Sequence, residues 1–265
     1  MIIIGERLNS SRKSVFEAFK KRNVHFLLEE AKKQKEAGAH YLDINAAALL
    51  EEEIDILQWA IPIIQEEINI PLCIDTPNPE AMEKALEIHK GTAILNSITG
   101  EKGKIEKYLP LIRKFKPKII ALCLDENGLP SSPQEEINIT KKIINELKIN
   151  GVSEEDIFID PLVRPIGTDS KAGLLFLKSL EGIKKEFPQI KTIAGISNVS
   201  FGLPNRKLLN RTLFIIAKYL GLDAAIIDPL DNELIDFLFS TEAILGKDNY
   251  CVNYLKHFRR KRDSS

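Results

Sequence analysis

Short apolar runs, rich in isoleucine, alternate with longer amphipathic stretches along the whole chain. Ile2 to Ile4, Tyr41 to Ile44, Leu72 to Ile74, Ala93 to Leu95, Ile119 to Leu124, Ile157 to Ile159, Thr192 to Ile196 and Ala224 to Ile227 read as buried strands. Each is too short for a helix and carries the β-branched residues that suit a pleated, packed surface. Between them, apolar positions recur at helical spacing over Lys13 to Lys20, Val24 to Glu36, Glu51 to Glu67, Pro79 to Lys90, Lys104 to Phe115, Ser132 to about Leu147, Lys171 to Phe187, Lys207 to Leu220 and Asn232 to Leu245. Asn78-Pro79 and Ser132-Pro133 are helix starts, a capping side chain followed by a ring with preset φ. Gly38 is a stop signal, since glycine accepts the left-handed conformation at a C-cap. Trp59 lies on the apolar face of its helix.

Strand followed by helix predicts a parallel sheet. Repeated eight times in 265 residues, with no room for a second domain, it predicts a single α/β domain, a closed (β/α)8 TIM barrel over residues 1–250. A doubly wound open sheet is the competing architecture. Residues 251–265, ending H-F-R-R-K-R-D-S-S, read as a basic, frayed, solvated C-terminal tail.

The C-terminal ends of the strands in such a barrel open onto one face. The first polar residues there are Glu6, Asp43, Asp75, Asn96, Asp125, Asp160, Ser197 with Asn198, and Asp228. Any one of them reads as a turn or cap residue. As a set they predict a polar, acidic pocket. The seventh strand runs into Gly195 to Arg206, G-I-S-N-V-S-F-G-L-P-N-R, which crowds small polar groups against a strand end more tightly than a core or a linker requires.

Charge and composition narrow the possibilities. With 37 basic and 38 acidic residues the net charge is −1, which gives no electrostatic footprint for nucleic acid. No apolar run reaches the length of a membrane span, and M-I-I-I-G-E-R lacks a signal peptide's basic leader, so the expected address is cytoplasmic. Cys73, Cys123 and Cys251 are too few and scattered for a disulfide framework, and the first two read as small core hydrophobes. His25, His40, His89 and His257 show no metal-ligand spacing, and no metal site is expected. No glycine-rich phosphate cradle follows a strand. A planar ligand edge bearing several N–H donors suits the carboxylates better, and the 2-amino-4-oxopyrimidine edge of a pterin is one such edge.

At these residues the chain resembles a known family. G-E-R-L-N at Gly5 to Asn9, L-D-I-N at Leu42 to Asn45, C-I-D-T at Cys73 to Thr76, L-N-S at Leu95 to Ser97, I-D-P-L at Ile159 to Leu162 and the long motif ending at Arg206 resemble the methyltetrahydrofolate:corrinoid methyltransferases. These include enzymes that serve a corrinoid iron–sulfur protein, and the folate domain of cobalamin-dependent methionine synthase is a relative. The resemblance implies a pterin-binding barrel that moves the methyl group of methyltetrahydrofolate to the cobalt(I) of a corrinoid on a partner protein, and it implies a homodimer. It places Asp75, Asn96 and Asp160 on the pterin edge, with Asp43, Gly195 and Ser197 around the ring. Asn198 would reach the nitrogen that carries the methyl group, and Asn9 and Arg206 would belong to the surrounding site. No catalytic role carries over to Asp125-Glu126-Asn127-Gly128.

Two other functions remain open on the sequence. A dihydropteroate synthase would share the pterin edge but needs basic groups for a diphosphate. Lys191 precedes its strand and is expected at the opposite face, which leaves Arg206. A non-catalytic pterin-binding or docking module would share the binding residues and show no methyl loss to reduced cobalamin.

Overall fold

The computed structural model describes residues 1–263, with side chains through residue 259. Eight parallel strands form a closed barrel in sequence order. They are β1 (Ile2–Asn9), β2 (Tyr41–Asn45), β3 (Leu72–Asp75), β4 (Ile94–Thr99), β5 (Lys118–Leu122), β6 (Ile157–Asp160), β7 (Lys191–Gly195) and β8 (Ala224–Ile227). β1 pairs with β8 through Ile2 with Ala224 and Gly5 with Ile227, which closes the ring. The helices are α1 (Lys13–Lys20), α2 (Val24–Glu36), α3 (Glu53–Ile68), α4 (Pro79–Ile88), α5 (Lys104–Phe115), α6 (Pro133–Ile149), α7 (Ala172–Glu186), α8 (Arg206–Tyr219), α9 (Asn232–Ile244) and α10 (Val252–Asp263). The open-sheet alternative is thereby excluded.

Alternation of side chains along each strand explains both the core and the site. Ile4, Cys73, Ile94, Ile120, Phe158, Ile193 and Ala224 point inward and plug the barrel. Their neighbours Ile3, Leu72, Ile74, Leu95, Ile119, Ile157 and Ile159 point outward and pack beneath the helices in the larger core. Two residues further along each strand the same inward face carries Glu6, Asp75, Asn96, Leu122, Asp160, Gly195 and Ile226. The apolar plug is therefore the floor, and the polar strand ends stand directly on it.

Backbone groups at the other end of the barrel are satisfied by two of the histidines. His40 Nδ1 accepts from the Ile3 N–H at 3.0 Å, and His89 Nε2 accepts from the Leu72 N–H at 3.1 Å. Their role is structural. Lys191 Nζ donates to the Glu155 carbonyl, which holds this lysine away from the strand-end face. The helix starts follow the sequence signals: Asn78 accepts from Glu80 N–H at 3.0 Å and Ser132 from Glu135 N–H at 3.3 Å. Gly38, at φ +97°, occupies the left-handed stop position.

Several boundaries differ from the sequence expectation. β1 and β4 run on to Asn9 and Thr99, past the ends of their apolar runs. The ladder continues through polar inward residues, with irregularities between Gly5 and Leu8 and between Asn96 and Ile98. β5 stops at Leu122 instead of Leu124, where the Leu124 N–H turns back to the Leu122 carbonyl. A 3-10 turn at Ala47–Glu52 precedes α3, so that helix begins at Glu53. Val252–Asp263 is helical where a frayed tail was expected, and residues 264–265 lie outside the described residues. α10 packs on α9, with the His257 ring stacked on Phe239 at 4.3 Å and its Nε2 2.7 Å from Asp236. Of the basic run Arg259 to Arg262, the side chains of residues 260–262 lie outside the described residues.

Glycine 5 is required by close approach: a Cβ there would stand 2.4 Å from Gln34 Oε1, which accepts the Arg7 N–H at 3.1 Å. Arg7 then ties β1 to α2 through Glu30 and to the β8 end through Asp228, at 2.8 Å.

One buried acid lies behind the barrel wall on α6. Glu136 is 1% exposed, with one carboxyl oxygen lacking a partner. Burial pushes its carboxyl up from 4.5 to about 8. A carboxyl whose folded-state value is raised contributes stability that is full below 4.5 and lost as pH rises through about 8. Glu136→Gln is therefore expected to raise Tm at pH 8.5, with the gain shrinking toward pH 5, as read by thermal melts across that range. A gain independent of pH contradicts the assignment.

Candidate functional site

The strand ends enclose a cavity of about 780 Å³. Asn9, Asp43, Asp75, Asn96, Asp160, Gly195, Ser197, Asn198 and Arg206 all line it, so the nine residues singled out from the sequence lie in one place. Glu6 and Asp228 line it as well. Asp125 does not belong to that lining. Because β5 ends early, Asp125 sits in a tight turn, where its carboxylate accepts the Asn127 N–H at 2.9 Å and its carbonyl accepts the Gly128 N–H.

The floor is acidic and withdrawn from water. Asp43 is 3% exposed and pairs in register with Cys73, the deepest level of the polar layer. Asn96 Nδ2 donates to Asp43 Oδ1 at 3.2 Å, and Asn45 Nδ2 donates to Asp75 Oδ2 at 2.9 Å. Asp160 Oδ1 accepts the Leu162 N–H at 2.8 Å, a geometry in which Leu162 takes φ +59°. Burial raises all three carboxyls. Asp43 rises well above 3.8, with the nearby Asp75 charge adding to the effect. Asp75 rises for the same first reason, opposed by its bond from Asn45. Asp160 reaches about 7, opposed only by the Leu162 amide. No salt bridge is formed by any of the three among the described residues. The same burial raises the Cys73 thiol well above its ordinary range, leaving a protonated core residue as the sequence suggested.

The turn after β7 builds one wall. A Cβ at Gly195 would stand 3.1 Å from Asn198 Nδ2, so a side chain there would push that carboxamide aside by a few tenths of an ångström. Residues 196–200 form a 3-10 turn that brings Ser197 Oγ to donate to Glu6 Oε2 at 2.9 Å, across the barrel seam. Glu6 is itself raised by burial, with the Ser197 bond opposing. Arg206 clamps the turn: its Nε donates to Ser200 Oγ at 3.0 Å and its Nη2 to the Ser197 carbonyl at 2.7 Å. Ser200 in turn donates to Asn210 Oδ1 at 2.7 Å. The Asn198 carboxamide is exposed to the cavity, and none of the side-chain hydrogen bonds around the turn uses it.

Arg12, Phe201, Lys207, Asn210 and Asp231 also line the cavity without having been singled out. Asn210 was detectable in principle, lying one helical turn beyond Arg206 and so on the same face. Arg12 and Lys207 offered no such signal. Among the described residues no group of three or more His, Cys, Asp or Glu side chains is disposed to hold a metal ion, and no helix is long and apolar enough to cross a membrane.

The floor of the cavity offers hydrogen-bond acceptors, and its wall carries a neutral amide. Residues 5–228 match the family described as pterin binding enzyme. The chain is 36% identical over 262 residues to the methylcorrinoid:tetrahydrofolate methyltransferase of Eubacterium limosum, covering 98% of this chain and 97% of that one. It is 28% identical over 240 residues to the methionine synthase of Mycobacterium tuberculosis, but spans only 20% of that longer protein. Among solved structures, a dihydropteroate synthase from Xanthomonas albilineans in complex with 7,8-dihydropteroate superposes with a TM-score of 0.72 at 18% identity, covering 92% of this chain and 93% of that one. The Yersinia pestis dihydropteroate synthase superposes at 0.68 and 14% identity, over 92% and 93% of the two chains. These last two share the fold. The chain belongs to the pterin-binding enzymes, and within them to the family of the methylcorrinoid:tetrahydrofolate methyltransferases.

Proposed function

We propose that this protein is a methyltransferase that moves a methyl group between a tetrahydrofolate and the cobalt of a corrinoid. The observation that carries the reading is the end-to-end match to a methylcorrinoid:tetrahydrofolate methyltransferase, over 98% of the chain. The pocket supplies chemistry to suit. A pterin's amino group and ring N–H donate as a pair to a carboxylate, and Asp75 and Asp160 are acceptors without a cation of their own. Asn96, already oriented by Asp43, offers the carboxamide that meets the ring's remaining polar atoms. Asn9, Gly195, Ser197 and Arg206 complete the enclosure.

Asn198 is assigned to the reacting nitrogen. When methyl leaves a tertiary amine, the N–CH3 bond breaks, its electron pair stays on nitrogen, and that nitrogen must take a proton. In the reverse direction, the one written in the relative's name, the nitrogen gives up its proton and its lone pair takes the methyl group. A neutral carboxamide serves both states, accepting from N–H through oxygen or donating to the lone pair through nitrogen. A carboxylate there would favour only the protonated state. Stabilisation placed where charge changes lowers the barrier in both directions.

The corrinoid is a substrate, arriving on a partner protein such as a corrinoid iron–sulfur protein, or as free cobalamin. The resemblance further supports a homodimer working in the cytoplasm, with residues 1–250 as the catalytic unit and 251–265 as an appendage.

Anaerobic mixing with methyltetrahydrofolate and cob(I)alamin is expected to give the absorbance spectrum of methylcobalamin in an enzyme-dependent way, and an unchanged cobalt spectrum contradicts the reading. Asn198→Ala is expected to lower methyl-transfer turnover about a hundredfold while folate affinity changes far less. Wild-type turnover in that variant removes Asn198 from the mechanism. Asp75→Ala and Asp160→Ala should behave oppositely, weakening folate binding by about tenfold or more because ligand donors are left unpaired.

A further inference from the structure

The chain that carries Asn198 continues past the cavity wall. From the end of β7 at Gly195 it passes through the 3-10 turn to Phe201, which lines the same cavity and is 68% exposed. Among the described residues its ring stacks on no other aromatic ring. An exposed apolar residue needs no explanation by itself. The setting of this one is unusual, because everything beneath it is fixed.

The Phe201 N–H donates to the Asn198 carbonyl at 3.2 Å, and the Leu203 N–H donates to the Ser200 carbonyl at 3.0 Å. Gly202, between them, takes φ +77°, a conformation that suits glycine. The loop after β6 backs the turn. Its Ile166 N–H donates to the Val199 carbonyl at 3.0 Å, and a Cβ on Gly167 would stand 3.2 Å from Leu203 Cδ2. Arg206 clamps the turn through Ser200 Oγ and the Ser197 carbonyl. The exposed phenyl therefore rides on a held backbone, three residues beyond the amide assigned to the reacting nitrogen. Two more exposed apolar side chains start the neighbouring helices on this side of the mouth: Leu174 in the first turn of α7, 57% exposed, and Leu208 in the first turn of α8, 58% exposed.

The chemistry of transfer says what such a surface meets. Cobalt(I) supplies the electron pair of the new Co–C bond while the pair of the breaking N–C bond withdraws onto nitrogen. Displacement at carbon requires nitrogen, methyl carbon and cobalt to lie in line. The Co–C bond stands perpendicular to the corrin plane. With the nitrogen beside Asn198, the corrin plane must therefore lie across the mouth, with one face turned to the rim. That face is a conjugated, largely apolar surface fringed by methyl groups. A phenyl already held in place offers it contact area without the cost of ordering a flexible side chain. Resting on the methyl-transfer reading above, we propose that Phe201 is a contact residue for the corrin ring itself, with Leu174 and Leu208 extending the same apolar flank, so that the enzyme recognises the macrocycle directly as well as any protein that carries it.

Steady-state transfer from methyltetrahydrofolate to free cob(I)alamin and to free cob(I)inamide, which keeps the ring and lacks the nucleotide loop, tests this in Phe201→Ala and Phe201→Tyr. Because the side chain is exposed, both variants are expected to keep the wild-type Tm. Phe201→Ala is expected to raise KM about tenfold for both corrinoids while the dissociation constant for methyltetrahydrofolate stays unchanged. Phe201→Tyr keeps the ring and should stay within about twofold of wild type. An unchanged corrinoid KM in Phe201→Ala overturns the proposal. So does a rise confined to cobalamin, which would set Phe201 against the nucleotide loop, or weakened methyltetrahydrofolate binding, which would make it a wall of the folate pocket. Wild type that methylates neither corrinoid would instead remove the methyl-transfer reading on which the proposal rests.

Discussion

Three carboxyl groups, Asp43, Asp75 and Asp160, stand on an apolar plug at the open end of a parallel barrel, withdrawn from water and without a salt bridge. Burial of a charge without compensation is costly, so their protons are held more tightly than in solution. Folding supplies few partners for them: the Asn96 amide and the Cys73 thiol at Asp43, the Asn45 amide at Asp75 and the Leu162 N–H at Asp160. The remaining acceptor capacity is what a donor-rich ligand edge would satisfy. The rest of the barrel holds this arrangement in place, with Arg7 bracing β1 against α2 and β8, and with Arg206 fixing the turn that carries Asn198.

Division of labour follows from charge. In the proposed function, acids recognise the pterin because they meet donors, and Asn198, being uncharged, is assigned to a nitrogen that changes protonation state during transfer. The cations Arg12 and Lys207 line the same cavity, on the flank where Asp228 is paired with Arg7 and Asp231 with Arg211.

Much of this was legible in the residue pattern, for reasons that lie in the geometry of parallel strands. Lys13–Lys20, Val24–Glu36 and Lys104–Phe115 have the helical limits their periodicity implies. Asp75, Asn96 and Asp160 were recognisable because each follows an inward apolar residue by two positions, and period-two alternation leaves them no other face. The polar continuation of β1 to Asn9 and β4 to Thr99 was hidden, because an apolar run marks burial by hydrocarbon and the strand goes on where burial becomes polar. Asp125 misled for the opposite reason: two apolar residues, Cys123 and Leu124, lie beyond the end of its strand. The pairing of Asn96 with Asp43 and of Asn45 with Asp75 depends on register between strands, which no single stretch of sequence encodes. Arg12 and Lys207 reach the cavity from a loop and a helix start, where the direction of a side chain is set by turns.

Proton exchange on binding reports whether these carboxyls hold protons that ligand donors displace. The suitable probe is 6-hydroxymethylpterin, whose aromatic ring leaves no basic amine to take up a proton of its own. Calorimetry at pH 6.5 in buffers of different ionisation enthalpy gives the number of protons exchanged. Because burial raises Asp160 to about 7, binding through its ionised form is predicted to release protons, and to release fewer in Asp160→Asn. Binding with no proton exchanged, or with net uptake, would contradict the account.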